Sequence, residues 1–188
     1  MKNKASFQLH AETLRSVLCF SGSLFIALAG FLLLPLFVAV VCREYQYDFR
    51  TFEAFLAPAL LSISLGFSLK KVSHSRGPNS LQAALICGVG WLGFSAIGAI
   101  PYVIGIHSGY LDGYFEAMSG FTTTGITMYT GLDTMPKSIL FQRALTQWIG
   151  GLGILTMFLV VAPKGGVAHH LFGAEGHKIN VDRASLRD

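Results

Sequence analysis

Charge is what this chain has least of. Only 13% of its 188 residues are Asp, Glu, Lys or Arg, about half the share of an ordinary soluble domain. No charged residue occurs between Arg15 and Arg43, Glu53 and Lys70, Arg76 and Asp112, or Arg143 and Lys164. A bilayer core takes about 20 apolar residues of helix. Three of the four stretches meet that length. The second is 16 residues long, and Lys70 and Lys71 can lengthen it by snorkelling. The scarcity of charge therefore excludes a soluble enzyme or nucleic-acid binder and predicts an all-α, multi-pass membrane protein.

Other absences narrow the function. The three cysteines, Cys19, Cys42 and Cys87, make no metal-spaced pair, and two of them lie inside apolar runs. His169, His170 and His177 have no Cys or carboxylate at ligand spacing. No paired acid and base stands out, so no catalytic residue and no enzyme activity is expected. The first apolar run exceeds the roughly 7–15 residues of a signal-peptide core and lacks a convincing cleavage site, so it reads as a retained span. No covalently bound cofactor is expected.

What charge there is sorts by loop. Lys2, Lys4 and Arg15 precede the first span, Lys70, Lys71 and Arg76 follow the second, and Lys164, Arg183 and Arg187 follow the last. The intervening loops carry a mixture: Arg43, Glu44, Asp48, Arg50 and Glu53, then Asp112, Glu116, Asp133 and Lys137. The positive-inside rule then predicts four full crossings with both termini in the cytoplasm. The net charge of +4 is accounted for by this orientation and calls for no nucleic-acid partner.

The spans are expected at about 14–41 (with Pro35 as a possible kink), 52–72, 80–106 and from Pro136 to about 162. Gly88, Gly90 and Gly93 spell GxGxxG, and Asp112 follows at a distance suited to a ribose contact. The fingerprint needs a preceding strand and a soluble helix, and here it sits in a charge-free stretch. Close approach of a second backbone is the better reading.

Between the third and fourth spans comes HSGYLDGYFEAMSGFTTTGITMYTGLDTMPK. Asp112 suits a helix N-cap, and residues 113–120 are enough for two turns but not for a crossing. The threonine run Thr122, Thr123, Thr124 and the following Gly125 then interrupt the helix. Non-helical backbone at membrane depth survives where it is buried in protein or lines a watery cavity. A pore lining explains the composition: carbonyls replace an ion's hydration shell, Gly125 supplies a positive φ, and the short helix aims the negative end of its dipole at a cation. Arg143, two turns into the last span, either snorkels outward or pairs with Glu116 to buttress the loop. In the latter case charge reversal at both positions should rescue a loss caused by either reversal alone.

Three stretches carry a family resemblance: DGYFEAMSGFTTTGIT (112–127), FQRALTQWIGGLGILTM (141–157) and, more weakly, LFGAEG (171–176). They resemble the Trk/Ktr/HKT potassium transporter family, nearest to the bacterial Trk-type potassium uptake membrane subunit and to its N-terminal part only. The resemblance implies a two-helix hairpin (1–76) followed by one membrane-pore-membrane repeat (77–163), with a pore helix at about 112–120, a filter at 122–126 and a cytoplasmic tail (164–188). It implies K⁺ as the transported ion, coordinated by the backbone carbonyls of Thr123 and Thr124, with Thr122 and Gly125 completing the filter and Asp112, Glu116 and Arg143 supporting it.

The resemblance also implies a location in the bacterial inner membrane and a peripheral nucleotide-binding regulatory subunit as a possible partner. Family members carry four repeats, so the chain is expected to supply one of four, as a fragment in preference to a homo-oligomer. A non-conducting truncated fragment or membrane scaffold is the alternative. The tail is either disordered or docks Leu171 and Phe172 on the cytoplasmic membrane face.

Overall fold

The computed structural model describes residues 2–44, 50–72 and 78–161. All regular structure among them is helical: α1 (Lys2–Val41), α2 (Arg50–Val72), α3 (Ser80–Gly98), α4 (Ile100–Ile106), α5 (Tyr110–Phe121) and α6 (Lys137–Val161), with a 3₁₀ turn at Leu132–Thr134. The expectations for the tail, including His169, His170, His177 and residues 171–176, lie outside the described residues.

Among the described residues, three segments are long and apolar enough to cross a membrane: Glu12–Val41, Arg50–Lys71 and Leu81–Ile106. Large side chains such as Phe37, Leu60, Phe67, Leu81 and Phe158 are exposed on the long helices. Such surfaces would be a liability in water and are ordinary in hydrocarbon.

The expected fourth crossing, α6, is not among the three. It is 25 residues long, about 37 Å at 1.5 Å per residue. Its first half, however, carries Gln142, Arg143, Thr146 and Gln147. Gln142 and Thr146 are buried and Arg143 is half-buried. Those two buried polar side chains show that this part of α6 faces protein.

The third span is divided. Asn79 starts α3 with a capping box: its side chain accepts from Gln82 N–H at 2.8 Å, and Gln82 Oε1 accepts from Asn79 N–H at 3.1 Å. The helix is interrupted at Ala99, and Pro101 lies in the first turn of α4, where its missing N–H costs no intrahelical bond.

The hairpin of α1 and α2 packs through small residues. A Cβ on Gly22 would lie 2.7 Å from Gly66 O, and one on Gly66 would lie 2.7 Å from Gly22 O. The Ser62 hydroxyl donates to Phe25 O at 2.7 Å. In the apparent nucleotide motif no second backbone approaches: a Cβ on Gly93 would meet the Phe25 ring at 2.5 Å, Gly90 has only Leu24 at 3.8 Å, and Gly88 has nothing within 4 Å. The common core gathers Phe25, Leu28, Phe55, Ile97, Tyr102, Phe121 and Ile139. It sets α5 against α3 on one side and α6 on the other.

Candidate functional site: a threonine strand on a short helix

Helix α5 has 12 residues, about 18 Å, too short for a hydrocarbon core of about 30 Å. It begins at Gly109, an extended N-cap without a side-chain bond. That corrects the expected role of Asp112, which lies inside the first turn, exposed. Its charge still suits the positive end of the helix. It stands at the opposite end of α5 from the threonines, about 15 Å along the axis, and makes no hydrogen bond among the described residues.

At the other end the chain leaves the helix with Thr122 (φ −88°, ψ 2°), then Thr123 at φ 57° and Gly125 at φ 74°. The sequence pointed to Gly125 for a positive φ; the structure adds Thr123. A β-branched residue in the left-handed region is strained, so its surroundings must hold it there. Two glycine contacts show how. A Cβ on Gly120 would run into Thr146 Oγ1, and a Cβ on Gly150 would run into Phe121 O. α5 and α6 touch at the turn before the threonines.

The backbone hydrogen bonds of this segment divide by direction. Thr123 N–H donates to Gly120 O at 2.9 Å, Thr124 N–H to Ser119 O at 2.9 Å and Gly125 N–H to Ser119 O at 3.3 Å. The N–H groups are thus turned back onto the helix end. Among the described residues, the carbonyls of Thr123, Thr124 and Gly125 accept no hydrogen bond, and all three residues are exposed. Three successive unpaired carbonyls beside three satisfied N–H groups form an acceptor ladder suited to a cation.

The threonine hydroxyls are engaged locally. Thr122 Oγ1 donates to Met118 O at 2.8 Å and lies 2.8 Å from Thr124 Oγ1, and Thr123 Oγ1 donates to Thr122 O at 2.7 Å.

Beyond the ladder the strand is held by one carboxylate. Glu116, 5% exposed, accepts from Arg143 Nε at 2.6 Å, from Thr127 Oγ1 at 2.9 Å and from Met128 N–H at 3.3 Å. Arg143 therefore turns inward to Glu116. A reversed pair could restore the ion pair but not the two strand contacts, because an arginine at 116 cannot accept from Thr127 or Met128.

Thr127 Oγ1 also accepts from Tyr129 N–H at 3.1 Å, and Tyr129 Oη donates to Ser108 Oγ at 2.7 Å. Burial pushes the Tyr129 phenol above its ordinary pKa. The space between strand and α6, lined by Glu116, Ser119, Gly125, Arg143 and Gln147 among others, is about 10 Å³. That is at the lower limit for a single water, so the supported side is filled and the carbonyl side is open.

The structure thus brings Thr122, Thr123, Thr124, Gly125, Glu116 and Arg143 together and leaves Asp112 apart. Several partners went unread in the sequence: Ser119, Thr127, Tyr129, and the glycine contacts of Gly120 and Gly150. So did Glu44, whose carboxylate receives Ser138 N–H at 3.2 Å and Ser138 Oγ at 2.5 Å and so closes the start of α6. A signal existed for Gly120 and Gly150, small residues flanking the polar segment. None existed for Glu44, 94 residues from its partner. Among the described residues no group of His, Cys, Asp and Glu could hold a metal ion.

Comparison with known proteins places these features. The family profile TrkH, described as cation transport protein, matches residues 48–171. An uncharacterized cation transporter of Methanocaldococcus jannaschii is 35% identical over 173 residues, 91% of this chain and 35% of that protein. The Trk system potassium uptake protein TrkH of Salmonella typhimurium is 32% identical over 155 residues, 81% of this chain and 32% of that protein. Trk system potassium uptake protein TrkI of Halomonas elongata is 29% identical over 144 residues, 74% of this chain and 28% of that protein. The chain spans about a third of the length of these relatives. It belongs to the TrkH family of cation transport proteins, a family of membrane transporters and not a class of enzymes.

Proposed function

We propose that this chain takes part in K⁺ uptake across the bacterial inner membrane, with Thr122–Gly125 as one of four strands of a selectivity filter. The observation that carries the reading is the acceptor ladder. The carbonyls of Thr123, Thr124 and Gly125 are exposed and unpaired at the C-terminal end of a short helix, while the N–H groups behind them are bonded. In hydrocarbon such backbone is stable where it lines a cavity, and carbonyl rings replace the hydration shell of K⁺. The potassium uptake relatives named above support K⁺ as the ion.

In this reading residues 1–76 form the hairpin. Residues 77–163 form a membrane-pore-membrane repeat, in which α5 is the pore helix, 122–126 the filter and α6 the fourth crossing. Residues 164–188 form a cytoplasmic tail, and both termini are cytoplasmic. Glu116 and Arg143 support the filter; Asp112 contributes at most through the dipole of α5. One strand makes a quarter of a ring, so the partners are the other repeats of a longer transporter, the surrounding bilayer, and a peripheral nucleotide-binding subunit that regulates it.

The test is the ratio of K⁺ to Na⁺ uptake in an uptake-deficient host expressing the complete transporter with and without Gly125→Ser, at matched membrane expression. A Cβ at φ 74° strains the backbone and turns neighbouring carbonyls, so the preference for K⁺ should fall. An unchanged ratio overturns the assignment of this strand as the filter.

A further inference from the structure

The ladder of free carbonyls is interrupted after Gly125. The next carbonyl, Ile126 O, accepts from Ser119 Oγ at 2.6 Å. Ser119 is thus bonded to the strand three times, since its own carbonyl receives Thr124 N–H at 2.9 Å and Gly125 N–H at 3.3 Å. It is buried, at 6% exposure, and lies one turn beyond Glu116 on α5. Among the described residues, no other bonds both the N–H side of the ladder and the first carbonyl past it.

We propose that the Ser119 hydroxyl sets the length of the ion-coordinating strand: it is a positioning residue for selectivity, acting through Ile126 O. This rests on the filter reading above. The physical argument has two parts. An unbonded Ile126 carbonyl would be an acceptor beside Gly125 on an exposed strand, free to rotate toward the ion path and add a coordination position. Selectivity depends on the number and arrangement of carbonyls offered, so an added, loosely held oxygen favours ions that the fixed ladder disfavours. Holding Ile126 O on a buried hydroxyl removes that freedom and fixes the ψ of Ile126, which in turn limits rotation at Gly125.

The backbone bonds to Ser119 O survive any substitution at 119, so the hydroxyl can be tested separately from the turn. Three variants in the complete transporter isolate it. Ser119→Ala deletes the donor, while Ser119→Thr and Ser119→Val have nearly the same shape and differ in whether a donor is present. Uptake of K⁺ and of Na⁺ is measured at matched membrane expression, with Gly125→Ser alongside.

The expected result is a fall in K⁺ over Na⁺ preference of about fivefold, the scale of one lost hydrogen bond, in Ala and Val, with Thr near wild type. If Ala fails to reach the membrane, the Thr and Val pair decides. If Thr falls with Val, packing and not the hydroxyl matters, and the proposal is overturned. If Ala and Val keep the wild-type ratio while Gly125→Ser loses it, the filter stands and Ser119 does not set its length. If no variant, including Gly125→Ser, moves the ratio, the filter reading fails and this inference with it.

Discussion

The α1–α2 hairpin and the α5–α6 pair both bring helices into backbone contact through glycine, and they use that contact differently. In the hairpin, Gly22 and Gly66 face each other, and Ser62 reaches Phe25 O. In the α5–α6 pair, Gly120 and Gly150 seat the two helices at the turn before the threonines, and a buried charged network begins beside them. Close packing of small residues brings helices together in lipid, but it does not dictate the direction of individual carbonyls. Hydrogen bonds do. The hairpin is built for association, and the pair is built for aim.

That contrast breaks most easily at Glu116. Glu116→Ala leaves Arg143, Thr127 Oγ1 and Met128 N–H without their acceptor. Removing one partner of a buried pair costs about 3–5 kcal/mol, somewhat less here because Arg143 is 20% exposed. The variant should lose most K⁺ uptake and unfold at lower temperature in detergent. The double reversal Glu116→Arg with Arg143→Glu should recover membrane expression ahead of ion preference, since the strand contacts stay lost. Full recovery of both would show that the ion pair alone matters.

A pair of glycine substitutions sharpens the comparison further. Gly66→Ala and Gly150→Ala each place a methyl against backbone and should each cost about 1–3 kcal/mol. If the hairpin only associates and the α5–α6 contact aims the strand, Gly150→Ala alters the K⁺ to Na⁺ uptake ratio and Gly66→Ala does not. Equal effects on the ratio would erase the distinction.

Ser62→Ala should be milder. It removes one hydrogen bond to Phe25 O, worth about 1 kcal/mol, and should lower thermal stability with the ratio intact. The smallest effect belongs to Asp112→Asn. The residue is exposed in the first turn of α5, where a carboxylate contributes less than about 1 kcal/mol, so uptake and ion ratio should both match wild type. A clear change in either would restore Asp112 to the filter's supports.

Much of the fold is legible because hydrocarbon is a simple solvent. Charge-free runs place α1, α2 and the α3–α4 segment, and the breaker GPN places the start of α3. The interruption at Ala99 is less legible, since Pro101 inside an apolar run reads equally well as a kink.

At the site, threonine and glycine chemistry marks residues 122–125, and the rarity of a charge inside a span marks Arg143. Asp112 shows the limit of local rules. As a residue type it is a good cap, yet Gly109 occupies the cap position and the helix starts one turn earlier than the sequence suggested.

The sequence by itself determined that this chain lives in lipid, that its short helix between Gly109 and the threonines cannot cross, and that the strand after it is non-helical. Those properties follow from composition and length, which are local. Only the tertiary structure decided which carbonyls stay free. That depends on Ser119, Glu116, Arg143 and two glycine contacts meeting at one turn. Residues 116 and 143 are 27 positions apart and Glu44 and Ser138 are 94 apart, and no local pattern encodes such meetings. A carbonyl's direction is set by what bonds its neighbours, and the neighbours are chosen by packing.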